Sequence, residues 1–167
     1  MKLNIDRSNP FDPETFIRRE WRVWRGPVRG DGLTGELEQD SRSLQVEQID
    51  WSTVRFMNHL WSGEHSLLGE EQLNRLRSSG AVMLDAKVGQ TLYENYLQAG
   101  PHSVLEWLRI TRNIVSFTIK GTTLRCPAGG RYAMYFSYDG EVWDWGGCWH
   151  GCRLGVDGSA PVIFPLS

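Results

Sequence analysis

Long apolar runs are missing from this sequence. No window is long and apolar enough to span a membrane. The opening "MKLNIDRSNPFDPETFIRREW" has no apolar stretch of the kind a secretory signal needs. The expected address is cytoplasmic, with surface display by another route left open. An excess of one charge is also missing: a net charge of −2 gives no electrostatic case for nucleic acid or an anionic membrane. Cysteine is scarce and odd in number, occurring only at Cys126, Cys148 and Cys152. In a reducing compartment that count predicts no disulfide framework. Internal repeats, low-complexity tails and strong catalytic motifs are absent, so the expectation is a non-enzymatic protein without a cofactor.

What is present suits one ordinary domain of 167 residues, with 40% apolar and 23% charged residues. Eight tryptophans are many for this length. Residues 1–50 read as irregular. Within them "FDPETF" offers Asp12 as an N-cap and Pro13 at the first helical position, a glycine-rich stretch follows, and "SLQVEQID" is a weak strand. "WSTVRFMNHLW" fits a strand or a helix equally. Residues 69–112 read as helical. Leu73 and Leu76 share a face after Glu70 and Glu71, Asp85 caps a run with Val88, Leu92 and Tyr96 at every fourth position, and "HSVLEWLRITRN" supplies a further short helix or an extension.

Residues 114–166 read as a β-meander. "NIVSFTIK" alternates, Gly121 is expected to break it, and "TTLRC" resumes. "PAGG" turns into "RYAMYFSY", apolar on both faces as a central strand should be. Asp139–Gly140 is the strongest hairpin signal, and "EVWDW" returns. "PVIFPL" is expected to close the sheet as an edge strand guarded by Pro161 and Pro165. Helices first and antiparallel strands after them predict an α+β fold in a single domain, 1–167.

The densest chemistry lies in "WDWGGCWHGC", Trp143 to Cys152. Cys148, His150 and Cys152, joined by Cys126, are four soft donors that could hold zinc in a structural or interaction domain. The Cys-x3-Cys spacing departs from the usual zinc pairs. A thiol-dependent enzyme would need a base and an acid around a cysteine. His150 could be the base, but no residue stands out as the acid. A carbohydrate-active enzyme using the aromatic face is a further alternative. His59, Glu64 and His65 lack the helical spacing of a metalloprotease pair. The Arg29–Asp31 tripeptide and the acidic stretch "GDGLTGELEQD" match short motifs only superficially.

On a strand, Trp143 and Trp145 share a face, and buried tryptophans there would anchor the chain. If Trp149 also points inward, the three form a scaffold and the residues between them must face outward. From Gly146 to Ser159, apart from Trp149, the chain contains no Glu, Lys, Gln, Met or Trp. These are the residues that codons ending in C or T cannot encode. The tryptophan frame with such residues between them resembles the C-terminal variable region of proteins diversified by retroelements. That resemblance covers roughly the last forty residues. It implies a C-type-lectin-like fold and a ligand-binding surface with exchangeable residues at Asp144, Gly146, Gly147, Cys148, His150, Gly151, Cys152 and Arg153, within a variable loop 144–159. It also implies a protein or other macromolecular ligand. One departure is the ending "VIFPLS", where that family commonly ends Gly-Phe-Arg.

Overall fold

Asp12 accepts a hydrogen bond from the Glu14 amide and Pro13 occupies the first turn, so the one-turn helix α1 (Pro13–Phe16) forms where the capping signal places it. In this computed structural model, which describes residues 1–165, the first strand is β1 (Lys2–Asn4) and the second is β2 (Arg22–Val23). The weak strand signal over 43–50 resolves into a 3-10 turn at Ser43–Gln45 and then β3 (Gln48–Asp50), which pairs with β1. The ambiguous segment contributes β4 (Arg55–Met57), and β5 (Leu67–Leu68) leads into α2 (Gly69–Ser78). After β6 (Val82–Met83), the Asp85 side chain caps α3 (Ala86–Ala99) through the Lys87 amide. Ser103 caps α4 (Val104–Arg112) in the same way.

The long strands follow: β7 (Ser116–Arg125), β8 (Arg131–Tyr138) and β9 (Trp143–Trp149), then the short β10 (Arg153–Leu154) and β11 (Ala160–Ile163). The fold is α+β. A four-stranded sheet runs β2-β7-β8-β9, a three-stranded sheet runs β4-β11-β6, and β1-β3 and β5-β10 are separate pairs. The Asp139 carboxylate accepts from the amides of Glu141 and Val142 and shapes the β8-β9 turn. Helices α3 and α4 place Val88, Leu92, Leu105 and Leu108 against Phe117, Ile119, Met134, Phe136 and Trp143 of the long sheet. Burying so many large apolar side chains is the main stabilising term of the fold.

Three expectations change. Gly121 does not break its strand: β7 runs through it, with a register shift between Ile119 and Leu124. The glycine is needed because the β6 connection crosses there. A Cβ at 121 would stand 2.2 Å from the Met83 carbonyl oxygen and 2.5 Å from that of Leu84. The last strand does not close the meander. β11 sits centrally between β4 and β6, partners more than seventy residues earlier in the chain. The irregular N-terminal part is partly ordered into strands, since β1 pairs with β3 and β2 adds to β7. The meander was expected to reach residue 166, which lies outside the described residues.

Candidate functional site

Strand β9 is the outer strand of the four-stranded sheet. Its register with β8 pairs Trp143 with Tyr138, Trp145 with Phe136, Gly147 with Met134 and Trp149 with Tyr132. These residues share one face. Trp143 is fully buried in the core, and Trp145 stacks on Phe16 of α1 with ring centroids 4.6 Å apart. Trp149 does not join them. It lies beyond the end of the core and is 52% exposed, so the inward scaffold consists of two tryptophans.

The register also decides which backbone groups are free. The His150 amide donates to the Arg131 carbonyl at 3.0 Å. In an antiparallel ladder the alternate residues 148, 146 and 144 then bond to β8, and 149, 147, 145 and 143 direct their N–H and C=O groups away from it. The Trp143 amide donates to the Tyr96 hydroxyl at 3.2 Å, and that of Trp145 to Asp144 Oδ1 at 2.8 Å. The amides of Gly147 and Trp149 have no such protein acceptor among the described residues. The edge is therefore open at residue 147 and at the Trp149 amide, while the Trp149 carbonyl accepts from the Cys152 amide.

Beside this edge a groove of about 360 Å³ is walled by Ile17, Arg18, Trp21, Leu124 and Trp145, with Gly146 and Gly147 as its glycine-lined side. A Cβ at Gly146 would meet no atom within 4 Å, whereas one at Gly147 would approach Tyr132 at 3.0 Å. Gly146 therefore has room for any side chain and Gly147 for small ones. Asp144, Cys152 and Arg153 are exposed and Cys148 is half-buried. Gly151 is exposed, but a Cβ there would press on the Trp149 ring at 2.6 Å, which that exposed ring could relieve only by moving.

His150 departs from the expected outward position. It is only 3% exposed, and its Nδ1 donates to Glu70 Oε2 at 3.2 Å. That contact selects the tautomer with the proton on Nδ1, and Nε2 is buried without a partner among the described residues. The turn around it is clamped by backbone bonds. The Cys152 amide donates to the Trp149 carbonyl, and the first amides of α2, at Gly69 and Glu70, donate to the carbonyls of Cys152 and His150, all at 2.9 Å. Arg153 then pairs with Leu68 in the β10-β5 ladder.

Under the turn lies Lys120, 2% exposed, with its ammonium donating to the Gly69 carbonyl at 3.2 Å. Burial is the main reason its pKa falls to about 8, against the raising influence of Cys148, Glu70 and Cys152. Glu70 is held down to about 2, first by its bond to His150, then by Arg131. Arg131 lies between Glu70 and Glu38 with its guanidinium 4.8 Å above the Trp24 ring. Burial lowers the His150 pKa, so the ring is neutral near pH 7, and burial raises that of the Cys148 thiol. Lys120 was not anticipated. Its one sequence signal is its place between Ile119 and Gly121 in a strand that is buried along almost its whole length.

The four soft donors do not form one set. Cys126 packs with Trp21 and Leu124, and its sulfur accepts from the Gly130 amide at 3.2 Å. Among the described residues no three His, Cys, Asp or Glu side chains gather as a metal ion would require. His59, Glu64 and His65 are likewise not brought into a site. Glu64 pairs with Arg75, which also binds the His59 carbonyl and lies 3.6 Å from the Trp61 ring centre. No helix among the described residues is long and apolar enough to cross a membrane. Compared with protein-family models, curated proteins and solved structures, the chain matches none.

Proposed function

We propose that this is a non-enzymatic binding protein whose ligand is an extended segment of another protein, added to the free edge of β9. The observation that carries the reading is the open edge at Gly147 and Trp149 beside the groove of Trp21 and Trp145. Strand addition takes its affinity from main-chain hydrogen bonds and its specificity from pockets for alternate side chains. The groove would receive one side chain, and the exposed Trp149 ring would cover another. An exposed strand edge is a liability that proteins normally cover or charge. Here the edge positions are glycine and tryptophan. Burial raises the Cys148 thiol pKa, which argues against an activated thiolate there.

The resemblance to retroelement-diversified proteins concerns the same surface. On this reading Asp144, Gly146, Cys152 and Arg153 are the positions free to vary. His150 is held by Glu70 and is not. The coding DNA tests that part: a near-repeat elsewhere in the genome, with adenines at the varying codon positions, supports it, and codons ending in A or G at Gly146 and Arg153, the two varying residues whose codons can end either way, contradict it.

The binding reading is tested by selecting peptides from a random display library on the purified protein and titrating a selected peptide against Gly147→Ala and Gly147→Pro. Both variants carry the same Cβ, and only the second loses the amide. The proline variant should bind at least about tenfold more weakly than the alanine variant, as the loss of one edge hydrogen bond predicts. Equal binding by the two variants, or no selectable peptide, contradicts the reading.

A further inference from the structure

A second cavity, sharing no lining residue with the β9 groove, lies where the N-terminal segment crosses the start of α3. It has a volume of about 290 Å³ and an apolar wall of Phe11, Val23, Leu37 and Leu44. Lys87 stands at its polar end. The residue is only 6% exposed, and its ammonium makes no hydrogen bond or ion pair among the described residues.

The nearby acids are already committed. Asp85 receives two bonds from Arg7, each 3.0 Å, and further bonds from Ser43 Oγ and the Lys87 amide. Asp6 is close enough for Lys87 to lower its pKa, but it is fully exposed and turned onto Ser8. Arg7 uses its other donors on the carbonyls of Ser43 and Val46. Among the lining residues Arg7 and Asp85 cancel, and Lys87 leaves one positive charge at the end of an apolar chamber. It sits in the first turn of the fourteen-residue α3, whose dipole adds to it. The Gln39 amide also lines the chamber.

We propose that this cavity binds a small monocarboxylate with an apolar tail, its carboxylate on Lys87 and its tail among Phe11, Val23, Leu37 and Leu44. A ligand of one negative charge completes the electrostatics. The apolar wall selects against a compact polar anion such as phosphate. The volume lies at the small end of ligand pockets, so a medium-chain acid of about eight carbons fits and a long-chain one does not.

The test is calorimetric titration of the whole protein with octanoate, 1-octanol and inorganic phosphate, each up to about 2 mM, within the aqueous solubility of 1-octanol. Octanoate should bind saturably at one site, at least about tenfold more tightly than 1-octanol, with no saturable binding of phosphate. Lys87→Met should abolish the preference for octanoate over 1-octanol. Leu44→Trp, which fills the chamber and keeps the ammonium, should weaken both. Melting curves check that each variant is folded, and the two variants fail independently. Non-saturable octanoate binding, octanoate binding unchanged in either folded variant, or phosphate binding as tightly as octanoate would overturn the proposal. None of these outcomes bears on the β9 edge.

Discussion

His150 Nδ1 lies 3.2 Å from Glu70 Oε2, a contact across eighty residues of sequence that turns one residue of the glycine-rich turn into the interior while its neighbours face out. The contact divides the segment Trp143–Arg153 into fixed and replaceable positions. His150→Ala should destabilise the protein by about 2 kcal/mol, since it removes one partner of the Glu70 carboxylate, leaving Arg131 as the other, and opens a cavity. Gly146→Ser, where a Cβ meets no atom within 4 Å, and Cys152→Ser and Arg153→Ala at exposed positions should each stay within about 0.5 kcal/mol of the parent. Urea unfolding of the four variants measures both.

The same contact gives an acid signature. Glu70 has its pKa lowered to about 2 in the folded protein, below the ordinary carboxylate value. Its contribution is therefore present above the unfolded value and is lost as pH falls through about 4.5 towards 2. Glu70→Gln should lower the melting temperature at pH 7 and flatten its fall over that acid range. Melting curves from pH 7 down to pH 3 make the comparison.

Lys120 gives the opposite signature on the alkaline side. Its folded pKa of about 8 is below the ordinary 10.5, so the unfolded chain binds more protons between those values. Stability should rise with pH across that window. The full difference is on the order of 3 kcal/mol. Lys120→Met should be more stable than the parent at pH 7 and should lack this rise. Melting temperatures of the two proteins between pH 7 and pH 10 check the sign.

Tryptophan substitutions should separate frame from surface. Trp143→Ala removes a fully buried indole and should cost about 3–5 kcal/mol. Trp149→Ala removes a ring exposed at the end of the strand and should cost less than about 1 kcal/mol while weakening peptide binding. Chemical unfolding and the peptide titration measure the two effects side by side.

The helices were legible because their signals are local. Asp12, Asp85 and the repeat of Val88, Leu92 and Tyr96 act within a turn or two of chain, and the Asp139–Gly140 turn does the same for the hairpin. What escaped was set by distant partners. Gly121 resembles a breaker until the carbonyls of Met83 and Leu84 are found against it. β11 resembles a closing strand until β4 and β6 flank it. The tryptophan frame was half legible, because period-two alternation places Trp143, Trp145 and Trp149 on one face but does not say where the core ends. His150 and Lys120 owe their burial to Glu70 and to the start of α2, which no local pattern near them announces.

The strand edge is unoccupied at the amides of Gly147 and Trp149, and amide hydrogen exchange followed by NMR reads this directly. The amides of Gly147 and Trp149 should exchange rapidly in the free protein while those of Gly146 and Cys148, bonded to β8, are protected. A bound peptide should slow exchange at 147 and 149 specifically. Protection of both amides in the free protein, or rapid exchange that a bound peptide leaves unchanged, would contradict the account.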